Sequence, residues 1–105
     1  MNAQYKKGVL ELCVLTKMSR KDYYGYELVE EISEILEISE GTLYPILRRL
    51  TDEKYFGTYL QESSEGPPRK YYRITKLGKD FQKEQLRQWT EFNQQIEKLI
   101  NKESK

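Results

Sequence analysis

The 105-residue sequence predicts a mostly α chain with a small β-hairpin, an α+β class, ending in a long C-terminal helix. Three observations carry that prediction. Leu43, Ile46, Leu47 and Leu50 recur at helical spacing, beside a polar, aromatic and cationic face made of Thr42, Tyr44, Pro45, Arg48 and Arg49. The turn sequence Gly66-Pro67-Pro68 leads into a basic, aromatic run, Arg69-Lys70-Tyr71-Tyr72-Arg73. Leu86, Trp89, Phe92, Ile96, Leu99 and Ile100 then recur at three- and four-residue steps. A polar-faced third helix followed by a basic hairpin is the plan of a winged helix-turn-helix, a fold suited to duplex DNA.

The elements follow in order. Lys6 to Ser19 predicts a first helix that is apolar almost all round, with Val9, Leu10, Leu12, Cys13, Val14, Leu15 and Met18, and so central and buried. Ser19 to Tyr24 reads as a polar connection. Tyr24 to Leu36 predicts a second helix with Leu28, Val29, Ile32, Ile35 and Leu36 on one face and glutamates on the other. Glu37-Ile38-Ser39 turns into a third helix running to about Lys54. Ser39 suits its N-cap, because a hydroxyl there can accept a bond from a free N–H of the first turn. Pro45 lacks an N–H and crowds the carbonyl of Gly41, so an irregular start near Gly41 and Thr42 is expected, with Pro45 in or near the first turn. Phe56 to Gln61 and Lys70 to Thr75 read as two strands, joined by a turn over Ser63 to Pro68, with Tyr59, Tyr71 and Tyr72 packing across them. Lys76 to about Asn101 reads as one helix. At ~25 residues it would extend roughly 38 Å, too long for a small domain to cover alone. The expected division is a DNA-binding unit over residues 1–75 and a dimerisation helix over 76–105, in one compact whole.

Composition narrows the function classes. A chain this short buries a modest core, so a partner subunit would help it. Hydrophobic content is 37% and charged content 33%, as in a soluble globular protein. No apolar run approaches membrane-spanning length, and the N-terminus lacks an apolar core followed by a small-residue cleavage site. The single cysteine, Cys13, excludes an internal disulfide framework and suits a reducing cytoplasm. No histidine is present, no metal-ligand cluster and no nucleophile–base pair is visible, so an enzyme, a metal or a cofactor is not expected. Net charge is only +1, but its distribution is uneven. Between Asp22 and Leu47 there are six glutamates and no Lys or Arg. From Arg48 onward the balance turns basic. A folded chain can therefore present a basic edge of third helix and hairpin while the second helix faces elsewhere.

The resemblance is closer than the general plan. Lys7-Gly8-Val9-Leu10-Glu11-Leu12, Tyr24-Gly25-Tyr26-Glu27-Leu28, Ser39 to Arg49 and Gly66 to Tyr72 resemble, in order, the signature blocks of the PadR family of bacterial transcriptional regulators. They cover the chain from about Lys7 to about Leu77. The tail, with Trp89 in a long helix, is similar to the short PadR subfamily, which includes multidrug-sensing repressors. Tyr24 departs from the many relatives that carry histidine there.

Three sites are expected. On the third helix, Ser39, Glu40, Gly41, Thr42, Tyr44, Arg48 and Arg49 face the nucleic acid: Thr42 and Tyr44 can donate hydroxyls to phosphate, and Gly41 lets the backbone approach closely. Glu40 either accepts from cytosine N4 or favours the helix dipole, and both stay open. Arg49 is either a phosphate contact or an ion pair with Asp52 or Glu53. On the hairpin, Arg69 and Lys70 sit at the tip to enter a minor groove or grip phosphates. The same second site takes in the start of the second helix, where Tyr24, Gly25 and Tyr26 form a backbone clamp or core packing. The third site gathers Val9, Cys13, Leu86, Trp89, Phe92, Asn93 and Ile96 at a dimer centre. In the resembling multidrug-sensing regulators, paired tryptophans there stack on flat apolar ligands; the alternative is that Trp89 simply packs in a seam. The expected protein is a homodimeric repressor on a pseudo-palindromic DNA operator, possible release by a small aromatic effector included. The competing reading is a winged-helix protein–protein interaction module without sequence-specific DNA binding, which the acidic second helix and near-zero net charge fit.

Overall fold

The computed structural model describes residues 3–101, with side chains from residue 8 onward. The outermost residues of the two expected units, 1–2 and 102–105, lie outside the described residues. The elements are α1 (Ala3–Met18), β1 (Tyr23–Tyr24), α2 (Gly25–Leu36), α3 (Glu40–Asp52), β2 (Phe56–Gln61), β3 (Arg69–Ile74) and α4 (Lys76–Ile100). The strands form an antiparallel sheet in the order β1-β3-β2. This is the four-helix, winged architecture that the sequence predicts.

α1 is central because its apolar residues face several elements at once. Leu10, Val14, Leu15 and Met18 join Leu28, Val29 and Ile32 of α2, Leu43, Ile46, Leu47 and Leu50 of α3, and Phe56 and Ile74 of the sheet in one core. Val9 and Cys13 are only half-buried. α2 differs from expectation at its end. Leu28, Val29 and Ile32 are buried, but Ile35 is 72% exposed and Leu36 38%, because the last turn of the helix runs past the edge of the core. The helix stops where Glu37 takes a left-handed conformation and the Ile38 N–H reaches back to the Ser33 carbonyl, 3.3 Å away.

The connection after α1 is not only a turn. Tyr23 and Tyr24 pair with Tyr72 and Tyr71 of β3 as a third strand. Tyr23 is buried against the core, and the extended backbone this requires brings its neighbour into register with the hairpin. A two-residue strand has too few residues to show a period, so the sequence pattern does not reveal it.

α3 is regular from Glu40, and Pro45 is its sixth residue, in the second turn rather than the first. The carbonyl left without its donor belongs to Gly41, which is exposed to solvent, as is the proline. Ser39 does occupy the N-cap, but its hydroxyl bonds the Thr42 hydroxyl at 2.9 Å and accepts no backbone N–H. The helix closes before Lys54. Lys54 is left-handed, its N–H bonds the Thr51 carbonyl, and the Tyr55 N–H bonds the Leu50 carbonyl, both at 3.0 Å.

The start of α4 is tied to this closure. The Thr75 hydroxyl is shared between the carbonyls of Lys54 (2.8 Å) and Tyr55 (3.1 Å) and accepts the Gly78 N–H at 3.0 Å, capping the helix. Phe81 stacks flat on Tyr55 at 4.2 Å, and buried Gln82 donates to the Thr16 hydroxyl of α1 at 3.1 Å. Beyond this point α4 leaves the core, and Arg87 braces its solvent face between Glu84 and Glu91. The Arg87 hydrogen bonds, with one from Gln88, hold the Glu84 carboxyl down at about 2.

A Cβ on Gly78 would lie 2.2 Å from the Tyr55 carbonyl oxygen and 2.7 Å from Ile74. Backbone cannot move aside as a side-chain tip can. Gly78→Ala is therefore expected to cost about 2–3 kcal/mol, as overpacking does in tight cores. Urea unfolding checks this: the midpoint should fall with the m-value unchanged.

Candidate nucleic-acid interface

The exposed side of α3 carries Glu40, Gly41, Thr42, Pro45 and Arg48. They are exposed because Leu43, Ile46, Leu47 and Leu50 turn the opposite side into the core. Arg48 has no ion pair among the described residues. Arg49, one step round the helix, points to another side. Its guanidinium is paired with Glu11 of α1 and, at 2.8 Å, with Glu53. Burial pulls the Arg49 pKa down, and the bonds and charges of Glu11 and Glu53 more than restore it, so it is permanently cationic. Of the two carboxylates considered from the sequence, Glu53 is the partner and Asp52 is not; Glu11 is an addition no local pattern announces.

Tyr44 is half-buried between α2 and the hairpin. Its hydroxyl oxygen is enclosed and has no hydrogen-bond partner among the described residues. Desolvation, then the nearby Glu40 carboxylate, push its pKa up, so the group keeps its proton and remains a donor. Tyr44 meets Tyr26 edge-on at 6.0 Å, Tyr26 meets Tyr24 edge-on at 5.3 Å, and Tyr24 lies 5.9 Å from Tyr71, which stacks on Tyr59 at 5.7 Å. Five rings thus connect α3 to the hairpin through the start of α2. Tyr59 is anchored by donating its hydroxyl to Asp22 at 2.7 Å.

The hairpin carries its expected cations in the two rungs beside its tip loop. Arg69 and Lys70 are paired with Gln61 and Leu60, at the start of β3. The tip, residues 62–68, carries Glu62 and Glu65 and no cation. Strand alternation sends Arg69, Tyr71 and Arg73 to one side and Lys70 and Tyr72 to the other. Arg69 stacks over Tyr24 at 4.9 Å and Arg73 over Tyr59 at 5.5 Å, closing both ends of the outer tyrosine row. On the other side, Lys70 lies over Tyr72 at 5.6 Å.

Lys70 and Tyr72 wall two grooves. One, of about 190 Å³, also takes in Tyr24, Gly25, Tyr26 and Tyr44. The second, of about 170 Å³, is completed by Tyr44, Leu47, Arg48, Thr51 and Asp52. Gly25 is buried under Tyr72, where a Cβ would meet the ring at 2.8 Å, so this glycine serves packing. Tyr72 is the wall residue that sequence reasoning treats only as cross-strand packing; its alternation with Lys70 along β3 is the signal that places it. The assembled features are two cations with no ion pair among the described residues, Arg48 and Lys70, with tyrosine hydroxyls and a helix N-terminus on the same side, which suit phosphate oxygens.

The residues expected at a dimer centre divide. Val9, Cys13, Leu86 and Trp89 line a groove of about 340 Å³ between α1, the end of α2 and α4. Ile35, Leu36, Lys17 and Arg20 share that lining, while Phe92, Asn93 and Ile96 lie further along α4, outside it. Burial pushes the Cys13 thiol up, so it lines the groove uncharged. Among the described residues no helix is long and apolar enough to cross a membrane.

Comparison with known proteins places the chain in a family. The profile described as "Transcriptional regulator PadR-like family" matches residues 14–84. A crystal structure of a Streptococcus transcriptional regulator is similar with a TM-score of 0.85 and 36% identity, over 95% of this chain and 100% of that one. A PadR-like transcriptional regulator from Bacillus cereus strain ATCC 14579 gives 0.82 and 38%, over 94% and 98%. An uncharacterised protein from Lysinibacillus sphaericus is 38% identical over 95 residues, 87% of each chain. The chain belongs to the PadR-like family of transcriptional regulators, and this family's members are regulators rather than enzymes.

Because the Tyr44 hydroxyl is buried without a partner among the described residues, removing it should not harm the free protein. Tyr44→Phe is expected to leave stability unchanged or raise it by up to about 1 kcal/mol. A thermal melt that falls instead would mean the hydroxyl is bonded in the free protein.

Proposed function

We propose that this DNA-binding transcriptional regulator acts as a homodimeric repressor, binding a pseudo-palindromic operator through α3 and the hairpin. The observation that carries the reading is the joint placement of Arg48 and Lys70 on one groove beside Tyr44 and Tyr72. Phosphate contacts come from Arg69, Lys70, Arg48 and the N-terminus of α2, while Tyr44, whose hydroxyl is enclosed, walls the groove and does not donate to phosphate as its sequence suggests. Thr42, Gly41 and Glu40, at the exposed start of α3, lie nearest the base edges. Ser39 holds Thr42 in place through their hydroxyl pair. Tyr24 and Tyr26 carry the hairpin's position to α3 and set the wing at a fixed distance from it.

The dimer reading rests on α4. Leu86, Trp89, Phe92, Leu99 and Ile100 are exposed, with Leu99 82% and Ile100 69% open to water, on a chain 60 Å long and 20 Å across its narrowest dimension. Such a stripe on a helix that leaves its own core asks for a second helix. Two copies joined along it place two α3 helices about one DNA turn apart, in successive major grooves. The effector reading rests on the groove beside Trp89. Its volume is within the range of small-molecule sites and its walls are largely apolar. A flat aromatic ligand against the indole would shift α4 and spoil the spacing of the α3 helices, releasing the operator.

Two measurements test this. Light scattering of the full chain is expected to give a dimer at micromolar concentration, and Leu99→Glu with Ile100→Glu a monomer that binds a duplex from its own promoter at least tenfold more weakly, since only one half-site is engaged. A monomeric wild type would refute the dimer. Trp89 is the only tryptophan, so its fluorescence has a single source. Titration with planar aromatic compounds should give saturable quenching that parallels loss of promoter binding; quenching that never saturates would remove the effector from the reading.

A further inference from the structure

Arg48 and Arg49 are neighbours with opposite surroundings. Arg48 is exposed, unpaired among the described residues, and shares a groove with Lys70. Arg49 leaves α3 on the side of α1, where its guanidinium joins Glu11 of α1 to Glu53 at the end of α3. Its side chain is 34% exposed and that of Glu11 only 19%. Its Nε is enclosed with no hydrogen-bond partner among the described residues, so the group has sunk between the helices rather than reaching out. We propose that Arg49 is a positioning residue: paired with Glu11, it sets the rotation of α3 against α1 and makes no contact with DNA. This rests on the reading of α3 as the DNA-facing helix.

The physical case has two parts. The buried face of α3 is wholly aliphatic, with Leu43, Ile46, Leu47 and Leu50. Aliphatic packing fixes the depth of a helix well and its rotation less sharply, because similar side chains can exchange holes. A directional, charge-assisted pair between two helices removes that freedom. α1 is also the wall of the groove that holds Trp89, through Val9, Cys13 and Thr16. Whatever moves α1 at that groove therefore pulls on Glu11, and through Arg49 on the helix that carries Thr42 and Arg48. The pair is then the route from the groove to the DNA-facing side.

The test compares Glu11→Gln, Arg49→Met and the double variant with wild type, on a duplex from the chain's own promoter and on a random duplex, across a salt series. Lys70→Ala serves as the phosphate-contact control and should lower the salt slope by about one. Glu11→Gln and Arg49→Met are each expected to weaken promoter binding by about tenfold, within the range of coupled pairs, and the double variant no further. Both should keep the wild-type salt slope and the wild-type affinity for the random duplex. A merely structural pair would leave promoter binding unchanged in the folded variants, which overturns the proposal. A slope lowered by Arg49→Met with Glu11→Gln silent would make Arg49 a phosphate contact and overturns it equally. Hydrogen exchange on the DNA-free chain gives an independent arm: Glu11→Gln should speed exchange in α3 about fivefold and leave α4 unchanged. No change in α3 overturns the latch, even if wild type binds DNA. Salt-insensitive promoter binding by wild type would instead refute the DNA-facing reading, with the exchange result still deciding the latch.

Discussion

The first turn of α4 lies so close to the Tyr55 carbonyl that only a hydrogen fits at position 78. Around that contact, Thr75 bonds the carbonyls of Lys54 and Tyr55 and caps α4, and Phe81 stacks on Tyr55. The end of α3, the start of β2, the end of β3 and the start of α4 therefore meet within a few residues. Lys54 adopts a left-handed backbone to bring them there. The hairpin can stand at a defined angle to α3 because both of its ends are held at this junction. The direction in which α4 leaves the core is set by the same bonds, and with it the place where any second copy would dock.

A second level of organisation is built from rings and charges. The tyrosine row from Tyr44 through Tyr26, Tyr24 and Tyr71 to Tyr59 links α3 to the hairpin, and Arg69 and Arg73 close the hairpin side. Each contact is weak, of order 1 kcal/mol. In series they hold Arg69 and Arg73 in fixed places, and on the proposed reading that lowers the ordering cost of binding DNA. A net charge of +1 is enough under these conditions, because the field that matters is local. The glutamates of α2 and the hairpin tip are placed away from the Arg48–Lys70 groove; Asp52 alone among carboxylates lines it.

α1 is the element with most duties. Its aliphatic side fills the core, Val9 and Cys13 border the Trp89 groove, Gln82 reaches its Thr16, and Glu11 grips Arg49. A helix apolar on nearly every side can do this only if several elements cover it, and the half-buried Val9 and Cys13 mark where the single chain runs out of cover.

Much of this was legible in the residues themselves. Helical spacing located α3 and α4, and the Gly66-Pro67-Pro68 turn between two short aromatic runs located β2 and β3, because each of these signals is local. The same spacing identified the side of α3 that faces outward. What the sequence could not determine depended on contacts between distant segments. β1 exists only because Tyr23 and Tyr24 find Tyr72 and Tyr71 nearly fifty residues away. Pro45 sits in the second turn because Gly41 can leave its carbonyl to water, which no propensity reports. The Ser39 hydroxyl went to Thr42, Arg69 and Lys70 fell in the two ladder rungs beside the hairpin's tip loop, and Ile35 and Leu36 were left open where α2 outruns the core. Arg49 found Glu11 on α1 because folding brought those two helices side by side, and a periodic pattern within one helix carries no information about the charge on its neighbour.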